Sequence, residues 1–339
     1  MLVGVQGPPE LHYEAHQAAK MQGWTVAPNR PDLPQWPGRF AGAGRVQAVI
    51  QTSGTGGTPT DVEITRDMLD AHRPAAFERL QAHGDSIWHA SIPPHRIGAV
   101  ALFDRAMHSH IHFGPTYGPS THVSMVPTQL YRALEAGIQP TMECALVGGG
   151  RLDAELAARA IHAGWPVYST YGMTETCSQV TTATPEELLE FPNTAGKPLR
   201  GVHVRIEEGE IVVRGPTVAG GEVYTGDAGR MDDGRLFVEG RLDSAIITGG
   251  VNVYPEPIEE HLEKHPRVEE AAVIGVADPE WGQRVVAYIV GSDADFRDWC
   301  RALEPAQRPK EYRFVTELPR TDQGKLRRHL LQNLDGANV

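Results

Sequence analysis

The sequence predicts an α/β protein whose large N-terminal domain joins a parallel-sheet core to a β-rich subdomain, followed by a small α+β C-terminal domain. Two changes of pattern predict this organisation. Short apolar runs alternate with helical stretches up to about residue 194, and short strands with polar alternation then replace them. After residue 242, helices and strands alternate again before a basic tail. We therefore expect an N-terminal domain over residues 1–242 and a C-terminal domain over residues 243–339.

The composition limits the classes of protein to which the chain can belong. Its 339 residues, 40% hydrophobic and 22% charged, fit one large and one smaller globular domain. A net charge of -12 argues against non-specific nucleic-acid binding, because no overall positive field would attract phosphate backbones. There is no basic, apolar leader and no run of about 18 apolar residues, so neither secretion nor membrane spanning is expected. Three widely spaced cysteines without a CxxC pair predict neither a disulfide framework nor a zinc ribbon, and they fit a cytoplasmic location.

The first half of the chain alternates between predicted strands and helices, so ligands are expected at the carboxyl ends of parallel strands. The apolar run Val46–Ile50 predicts a buried strand. Thr65 suits the N-cap of a helix that begins at Arg66, with Pro74 as a candidate break, and Pro127 suits the first position of another helix. The remaining predictions are strands at Trp24–Ala27, Val62–Ile64, Ile87–Ser91, Val123–Val126, Ala145–Val147 and Trp165–Ser169, and helices at Tyr13–Gln22, Ile97–Met107, Thr128–Ala136 and Asp153–Ala163.

The second half is predicted to be mostly strand. Asp232–Arg235 has the Asp-Gly sequence of a tight hairpin turn between two strands. The other predicted strands are Val202–Ile206, Glu210–Val213, Ala271–Val276 and Val285–Val290, and the predicted helices are Pro257–Lys264 and Asp295–Leu303.

The stretch Thr52–Pro59 combines three glycines with several hydroxyl side chains directly after a predicted strand. Glycine lets the backbone approach a ligand closely, and its N–H groups and the neighbouring hydroxyls can bind phosphate oxygens. The same composition is also typical of an ordinary loop. No Lys-Ser/Thr pair follows the glycines, so the stretch is not a Walker A loop.

Three histidines, His108, His110 and His112, are spaced by two residues. On a strand this spacing puts three imidazoles on one face, which is compatible with a metal site. No carboxylate or cysteine joins them at ligand spacing, so we expect a polar strand face instead.

Five sequence blocks occur in the order in which one enzyme superfamily has them. They are Thr52–Pro59, Tyr171–Thr176, Tyr224–Asp227, Gly240–Glu259 and Pro319–Lys325. On this ordered set, which covers the chain from about residue 46 to its end, the protein resembles the adenylate-forming acyl-CoA ligases. Three further segments are similar to those of the o-succinylbenzoate–CoA ligases of menaquinone biosynthesis, namely Ser124–Leu130, Leu146–Gly150 and Thr170–Val180.

The resemblance implies a reaction in two steps that uses ATP, Mg²⁺, coenzyme A and a small carboxylic acid. The substrate carboxylate would attack the α-phosphate of ATP to give an acyl-adenylate and pyrophosphate. The thiol of coenzyme A would then displace AMP to give a thioester. Both steps need charge neutralisation and alignment more than a protein nucleophile.

The resemblance also implies roles for individual residues in the first step. Thr174 would bond the α-phosphate, Glu175 would hold Mg²⁺, and Tyr171 with Gly172 would lie against adenine. The residues that would cradle the β- and γ-phosphates are Thr52, Ser53, Gly54, Thr55 and Gly56. The residues implied on the C-terminal side are Asp227 and Arg241 for the ribose and Lys325 for the reacting oxygens. Taken singly, Glu175, Asp227 and Lys325 would each also fit an ordinary surface position.

Asp243 occupies the hinge position of the family, about which a mobile C-terminal domain would present Lys325 for adenylation. The region of Gly249 and Gly250 would then face the site for thioester formation. A plain surface aspartate would look identical in sequence.

The resemblance places the acyl site at His95, Arg105, Gly148 and Gly149. Arg105 would hold the second carboxylate of o-succinylbenzoate, because a buried dicarboxylate needs a cation or strong donors. The alternative for Arg105 is a helix-surface arginine, and for the glycines a simple turn at a strand end.

Two departures from the family leave other functions open. Thr60 and Asp61 stand where the family has a lysine after the loop proline, and the segment before the loop is short. A homodimer would compensate for the shortened N-terminal region. The alternatives are an enzyme that adenylates another aryl or acyl acid, with coenzyme A or a carrier protein as acceptor, and a non-catalytic relative that binds nucleotide or acyl ligands.

Overall fold

The structure is a computed structural model that describes residues 2–5, 9–22, 25–28, 46–53, 59–292, 294–320 and 326–331. Its internal contacts divide the chain into two compact units. Unit 1 contains Met1–Thr225 with Arg230–Phe237, and unit 2 contains Gly226–Gly229 with Val238–Val339. The expected boundary after residue 242 stays a prediction. Within the described residues, no helix combines the length and apolar character that a membrane crossing requires.

A four-stranded sheet opens unit 1. Its elements are β1 (Leu2–Val5), α1 (Pro9–Gln22), β2 (Thr25–Pro28), β3 (Val46–Ser53) and β4 (Pro59–Thr65). The strand order is β1-β2-β3-β4, with β1, β2 and β3 parallel and β4 antiparallel to β3. The glycine-rich stretch is therefore the connection of a β-hairpin, and residues 54–58 of that connection lie outside the described residues.

Helix α2 (Arg66–Arg79) begins where the sequence predicts, because the Thr65 hydroxyl accepts a hydrogen bond from the Met68 amide at 3.2 Å. The expected break at Pro74 is wrong, since the helix continues through it. Met68 and Ala76, on either side of the proline, are both buried, so packing holds the two halves of the helix in line.

The core of unit 1 is a run of parallel strands, as the sequence predicts. Its elements are β5 (Ile87–His89), α3 (Ile97–Ala106), β6 (His110–His112), β7 (His122–Met125), α4 (Pro127–Glu135), β8 (Cys144–Val147), α5 (Ala154–His162) and β9 (Val167–Met173). The parallel strands lie in the order β9-β8-β7-β5-β6. Every residue of β7 and β8 is buried, because helices cover both faces of a sheet of this kind.

Two hydrophobic clusters mark those faces. On one face, Trp88 and Leu146 pack with Phe103 of α3. On the other, Val123 and Val147 belong to a cluster that includes residues of α4, α5 and α6 (Pro185–Glu190). The strands are thus fixed from both sides, which fixes the loops at their carboxyl ends.

The β-rich part continues the same sheet with antiparallel strands. Its strands are β10 (Ser178–Ala183), β11 (Thr194–Pro198), β12 (His203–Glu207), β13 (Glu210–Arg214), β14 (Glu222–Asp232) and β15 (Arg235–Arg241). The order is β12-β13-β14-β15-β11-β10, and β10 then pairs with β9. Asp233 and Gly234 both have positive φ, +46° and +73°, which confirms the Asp-Gly hairpin turn between β14 and β15.

The second unit contains another sheet. Its elements are β16 (Ile246–Thr248), β17 (Val251–Val253), α7 (Pro255–Glu263), β18 (Val268–Asp278), β19 (Gly282–Gly291) and β20 (Glu311–Phe314). The predicted helix at Asp295–Leu303 is wrong, because only a 3-10 turn at Trp299–Ala302 forms there. Phe296 and Cys300 are buried four residues apart, so one turn reproduces the helical spacing that the sequence shows.

Candidate active site

The hairpin of β9 and β10 carries the motif around Thr174. The sequence predicts a strand that ends before Tyr171, but β9 continues to Met173, so Tyr171 and Gly172 are strand residues. Only Thr174–Thr176 form the turn, a single 3-10 turn, and β10 returns antiparallel from Ser178. Thr174 and Glu175 therefore project from a short, closed hairpin rather than from a loop.

The hairpin is tight enough to require glycine at position 172. A Cβ atom there would lie 1.6 Å from the Ser178 carbonyl oxygen, which no side chain can accommodate. Cys177 and Ser178 have φ values of +56° and +87°, so the chain reverses through the left-handed region. The tip therefore requires unfavourable backbone angles in two non-glycine residues.

Hydrogen bonds hold this tip from inside. The Thr176 hydroxyl accepts from the Met173 amide at 3.0 Å, and its own hydrogen faces the carbonyls of Met173 and Ser178 at 3.0 and 3.1 Å. The Glu175 carbonyl accepts from the Ala219 amide at 2.8 Å. With the other residues that the structure describes, the Thr174 hydroxyl and the Glu175 carboxylate make no hydrogen bond or ion pair, so both remain available to a ligand.

The strands beside the glycine-rich connection are described only in part. The Thr52 hydroxyl donates to the Thr60 carbonyl at 3.2 Å, across the hairpin of β3 and β4. Asp61 is exposed on β4, with its carboxylate 3.4 Å from the Gln51 amide nitrogen. Ser53 ends β3, while Gly54, Thr55 and Gly56 lie outside the described residues. The phosphate cradle stays a prediction.

In the second unit, Arg241 joins two of the predicted carboxylates. Its Nη1 donates to Asp227 at 3.0 Å, and its Nε and Nη2 lie 3.4 and 3.3 Å from the oxygens of Asp243. Burial would lower the pKa of Arg241, but the hydrogen bond to Asp243 and the charge of Asp227 raise it overall. Gly226, with φ +71°, lets the guanidinium pass, since a Cβ atom there would be 2.9 Å from Nη2. Asp243 is therefore ion-paired, and its hinge role stays a prediction.

The acyl-site residues lie in different environments. His95 is partly exposed, and partial burial together with neighbouring Arg96 lowers its pKa. A Cβ atom on Gly148 would come within 2.7 Å of the Thr170 methyl group, and Gly149 has φ +75°. The alternative of a helix-surface arginine is wrong for Arg105, which is only 1% exposed.

Gly249 and Gly250 form the turn between β16 and β17, with φ values of +56° and +81° that favour glycine. A Cβ atom on Gly249 would lie 3.1 Å from the indole of Trp281. Trp281 is 39% exposed, and the Lys310 ammonium lies 4.9 Å from its ring centroid. Sequence reasoning missed this ring, because nothing adjacent to Gly249 in the sequence signals a contact with Trp281.

The predicted histidine face is only partly formed. His110 and His112 lie on β6, while His108 precedes the strand. Within the part of the chain that the structure describes, no group of three metal-ligating side chains is arranged to hold an ion. His112 instead lies with its Nδ1 3.3 Å from that of His89 and 3.2 Å from the Ser120 hydroxyl.

Two known protein families match this chain over long segments. A model described as "AMP-binding enzyme" matches residues 14–227, more than half of the chain, and one described as "AMP-binding enzyme C-terminal domain" matches residues 257–325. The chain belongs to the AMP-binding enzymes.

Several relatives of this AMP-binding enzyme are named as ligases of succinylbenzoate and coenzyme A. A 2-succinylbenzoate–CoA ligase of Bacillus mycoides (strain KBAB4) is 35% identical over an alignment of 338 positions, which covers 84% of this chain and 69% of the relative. Two structures of the o-succinylbenzoate CoA synthetase of Bacillus subtilis each cover 98% of this chain. The complex with the acyl-adenylate intermediate has a TM-score of 0.83 at 26% identity over 83% of that protein, and the complex with ATP and magnesium has 0.86 at 25% over 88%.

These matches confirm the family and the fold that the sequence predicts. This AMP-binding enzyme is an adenylate-forming acyl-CoA ligase with a large N-terminal α/β domain and a small C-terminal domain. Lys325 lies outside the described residues, but the segments on either side of it are described. Arg320 donates to Glu270 at 2.8 Å and forms an isolated β-bridge with Leu326, and Arg328 pairs with Glu259 on α7.

Proposed function

We propose that this protein is an o-succinylbenzoate–CoA ligase that forms o-succinylbenzoyl-adenylate and then the coenzyme A thioester, and so serves menaquinone biosynthesis. The observation that carries the proposal is the closed tip of the β9–β10 hairpin, where the Thr174 hydroxyl and the Glu175 carboxylate are both left for a ligand within the described residues. Adenylation needs a donor at the α-phosphate and a carboxylate for the accompanying metal, and this tip supplies one of each.

The residues at the tip fit Mg²⁺. This ion is held in nucleotide sites by one or two carboxylates together with substrate phosphates and water, so a cluster of three protein ligands is not needed. Glu175 would supply that carboxylate, and the ion would neutralise charge on the phosphates. Thr174 would donate to a non-bridging oxygen of the α-phosphate, with Tyr171 and Gly172 of the same hairpin against adenine.

The ribose contacts are proposed for the second unit. Asp227 can accept from two hydroxyls, and its ion pair with Arg241 holds the carboxylate in one orientation. Arg241 would donate to the same sugar, as the family motif implies. Lys325 would approach the reacting carboxylate oxygens, as the family motif implies.

The acceptor step is proposed for the β16–β17 turn. With Gly249 and Gly250 the turn has no side chains, so a thin chain such as pantetheine could pass close to its backbone. The exposed Trp281 ring beside it offers an apolar face. Coenzyme A is thus the proposed acceptor, with a carrier-protein arm as the alternative that uses the same chemistry.

The substrate proposal depends on the relatives, since the curated and structural relatives named above act on succinylbenzoate. His95, Gly148 and Gly149 would line the acyl site. The role of Arg105 at the second carboxylate stays a prediction. A specific observation supports one other candidate, a non-catalytic relative: Thr60 and Asp61 on β4 put no cation beside the glycine-rich connection.

The test incubates purified protein with ATP, Mg²⁺ and coenzyme A, and with o-succinylbenzoate, benzoate or a medium-chain fatty acid in parallel. AMP and thioester are expected from o-succinylbenzoate alone. Lys325→Ala should abolish adenylate formation, whereas Arg327→Ala removes an exposed cation two residues away and should leave the rate unchanged. AMP formed from another acid would identify that acid as the substrate. Bound ATP with no AMP from any acid would favour the alternative that the protein is a non-catalytic relative.

A further inference from the structure

Among the described residues, Arg105 is a buried cation that forms no ion pair with a carboxylate. It lies on α3, is 1% exposed, and burial lowers the pKa of its guanidinium to about 10. The neighbouring carboxylate, Asp104, is paired with Arg73 at 2.8 Å. Arg105 instead stacks its guanidinium on the Trp88 ring, 4.5 Å from the centroid, and its Nε has no hydrogen-bond acceptor among the described residues. Such burial is costly, and an apolar side chain of similar volume would often be more stable there.

The Arg105 side chain makes a hydrogen bond to the hairpin that carries Thr174 and Glu175. Its Nη1 donates to the side-chain oxygen of Gln179 at 2.8 Å, and both residues are buried. Because arginine can only donate, this contact fixes which end of the Gln179 amide faces α3. The other end of the amide donates to the Thr182 hydroxyl at 3.0 Å.

The geometry of Gln179 depends on an irregularity in β10. Gln179 pairs with Gly172 and Thr181 with Tyr171, so Val180 is an extra residue in the strand, a β-bulge. In a regular strand, residues 179 and 182 would point to opposite faces of the sheet. The bulge brings residues 179 and 182 to the same face, where their side chains form a hydrogen bond. The amide of Gln179 therefore spans the bulge and is held in place by Arg105.

The same contacts continue towards the neighbouring strand end. The Thr182 hydroxyl lies 3.4 Å from that of Thr170 on β9, and Thr170 donates to the Thr181 carbonyl at 2.8 Å. The Thr170 methyl group faces Gly148. A chain of buried and partly buried polar side chains thus runs from α3, under the bulge, to the strand that leads into Tyr171 and the tip.

We propose that Arg105 and Gln179 are a positioning pair, which holds the β10 bulge in register and so places Thr174 and Glu175 for adenylation. The inference rests on the proposed adenylation activity and assigns Arg105 to the hairpin instead of to the substrate. The guanidinium acts through Gln179 and touches neither ATP nor the acid. Burial of the guanidinium lowers the stability of the fold, and the side chain is kept because it fixes the placement of the tip.

The two roles of Arg105 predict opposite kinetics. A positioning pair should affect the ATP and Mg²⁺ dependence of adenylation and leave the Michaelis constant for the acid unchanged. A ligand of the second carboxylate should raise the Michaelis constant for the acid and leave the Mg²⁺ dependence unchanged. Adenylate formation, measured without coenzyme A, separates them.

The experiment compares Arg105→Met, Gln179→Leu and the double variant with wild type. Each single variant should lower kcat for adenylate formation about tenfold and raise the Mg²⁺ concentration for half-maximal rate severalfold. The double variant should be no slower than the singles, because both remove one coupled contact. Its melting temperature should equal or exceed that of Arg105→Met, because the buried amide that arginine held is also gone. Gln179→Glu keeps an acceptor for Arg105 and can accept from the Thr182 hydroxyl, so it should retain most of the activity.

Arg73→Met is the matched control for general destabilisation. It breaks the ion pairs that Arg73 makes with Asp70 on α2 and Asp104 on α3, so it should lower the melting temperature without a specific change in Mg²⁺ dependence. A raised Michaelis constant for the acid in Arg105→Met would overturn the proposal, as would additive losses in the double variant. If wild type makes no adenylate, the proposed function itself fails, which is a different result.

Discussion

Gly172→Ala is the substitution for which the geometry predicts the largest effect. The added Cβ atom would lie 1.6 Å from the Ser178 carbonyl oxygen and 2.6 Å from its carbon, and real Cβ atoms essentially never approach closer than 3.0 Å. The two strands must therefore separate by at least 1.4 Å, the difference between 3.0 and 1.6 Å. The obstacle is backbone, which cannot rotate away as a side chain can.

That displacement falls next to the hairpin tip. A misplacement of about 1 Å can reduce an enzymatic rate about 100-fold, so we expect at least that loss in adenylate formation. Overpacking of this kind typically costs about 1–3 kcal/mol of folding free energy, so the variant should still fold. Pyrophosphate release without coenzyme A measures the first quantity, and chemical denaturation measures the second.

Gly84→Ala is the matched control, because a Cβ atom there meets nothing within 4 Å. It should leave both the rate and the stability close to those of wild type. A Gly172→Ala protein that is folded and forms adenylate at the wild-type rate would refute the placement of Thr174 and Glu175 on a rigid tip.

Three further predictions test other parts of the structure. Burial lowers the pKa of both His16 and His72 to about 3, so the folded state resists their protonation, and each should contribute stability above pH 6.5 that is lost as the pH falls towards 3. At pH 5 the loss should be about 2 kcal/mol for each, and His72→Leu should reduce the slope of unfolding free energy against pH. Thr65→Ala removes the N-cap of α2 and should cost about 1 kcal/mol in denaturant unfolding, a figure that an unchanged midpoint would contradict. Asp227→Asn weakens the ion pair that orients Arg241 and should raise the Michaelis constant for ATP about tenfold, whereas an unchanged constant would remove Asp227 from the ribose site.

The sequence predicts those parts of the fold that local patterns determine. The apolar runs of β7 and β8, the N-cap at Thr65 and the Asp-Gly turn at Asp233 were all correctly interpreted, because each depends on a few adjacent residues. The same local spacing misled at Asp295–Leu303, where one turn of 3-10 helix buries Phe296 and Cys300 without a longer helix.

The features that sequence reasoning missed depend on contacts between distant residues. The motif at Tyr171 looks like a loop in one dimension, but pairing with β10 extends β9 through it. Nothing adjacent to Arg105 in the sequence signals that its partner is Gln179, 74 residues away. Trp281 likewise becomes notable only beside Gly249, because the turn between β18 and β19 brings the two together.

The most direct test of the central claim is a single-turnover reaction of the purified protein with ATP, Mg²⁺ and o-succinylbenzoate, without coenzyme A, analysed by mass spectrometry. We expect o-succinylbenzoyl-adenylate and one equivalent of pyrophosphate in wild type, and neither in Glu175→Gln at the same Mg²⁺ concentration. Adenylate formed equally well by Glu175→Gln would contradict the role of the hairpin tip. The absence of adenylate in wild type, with ATP bound, would contradict the proposed reaction.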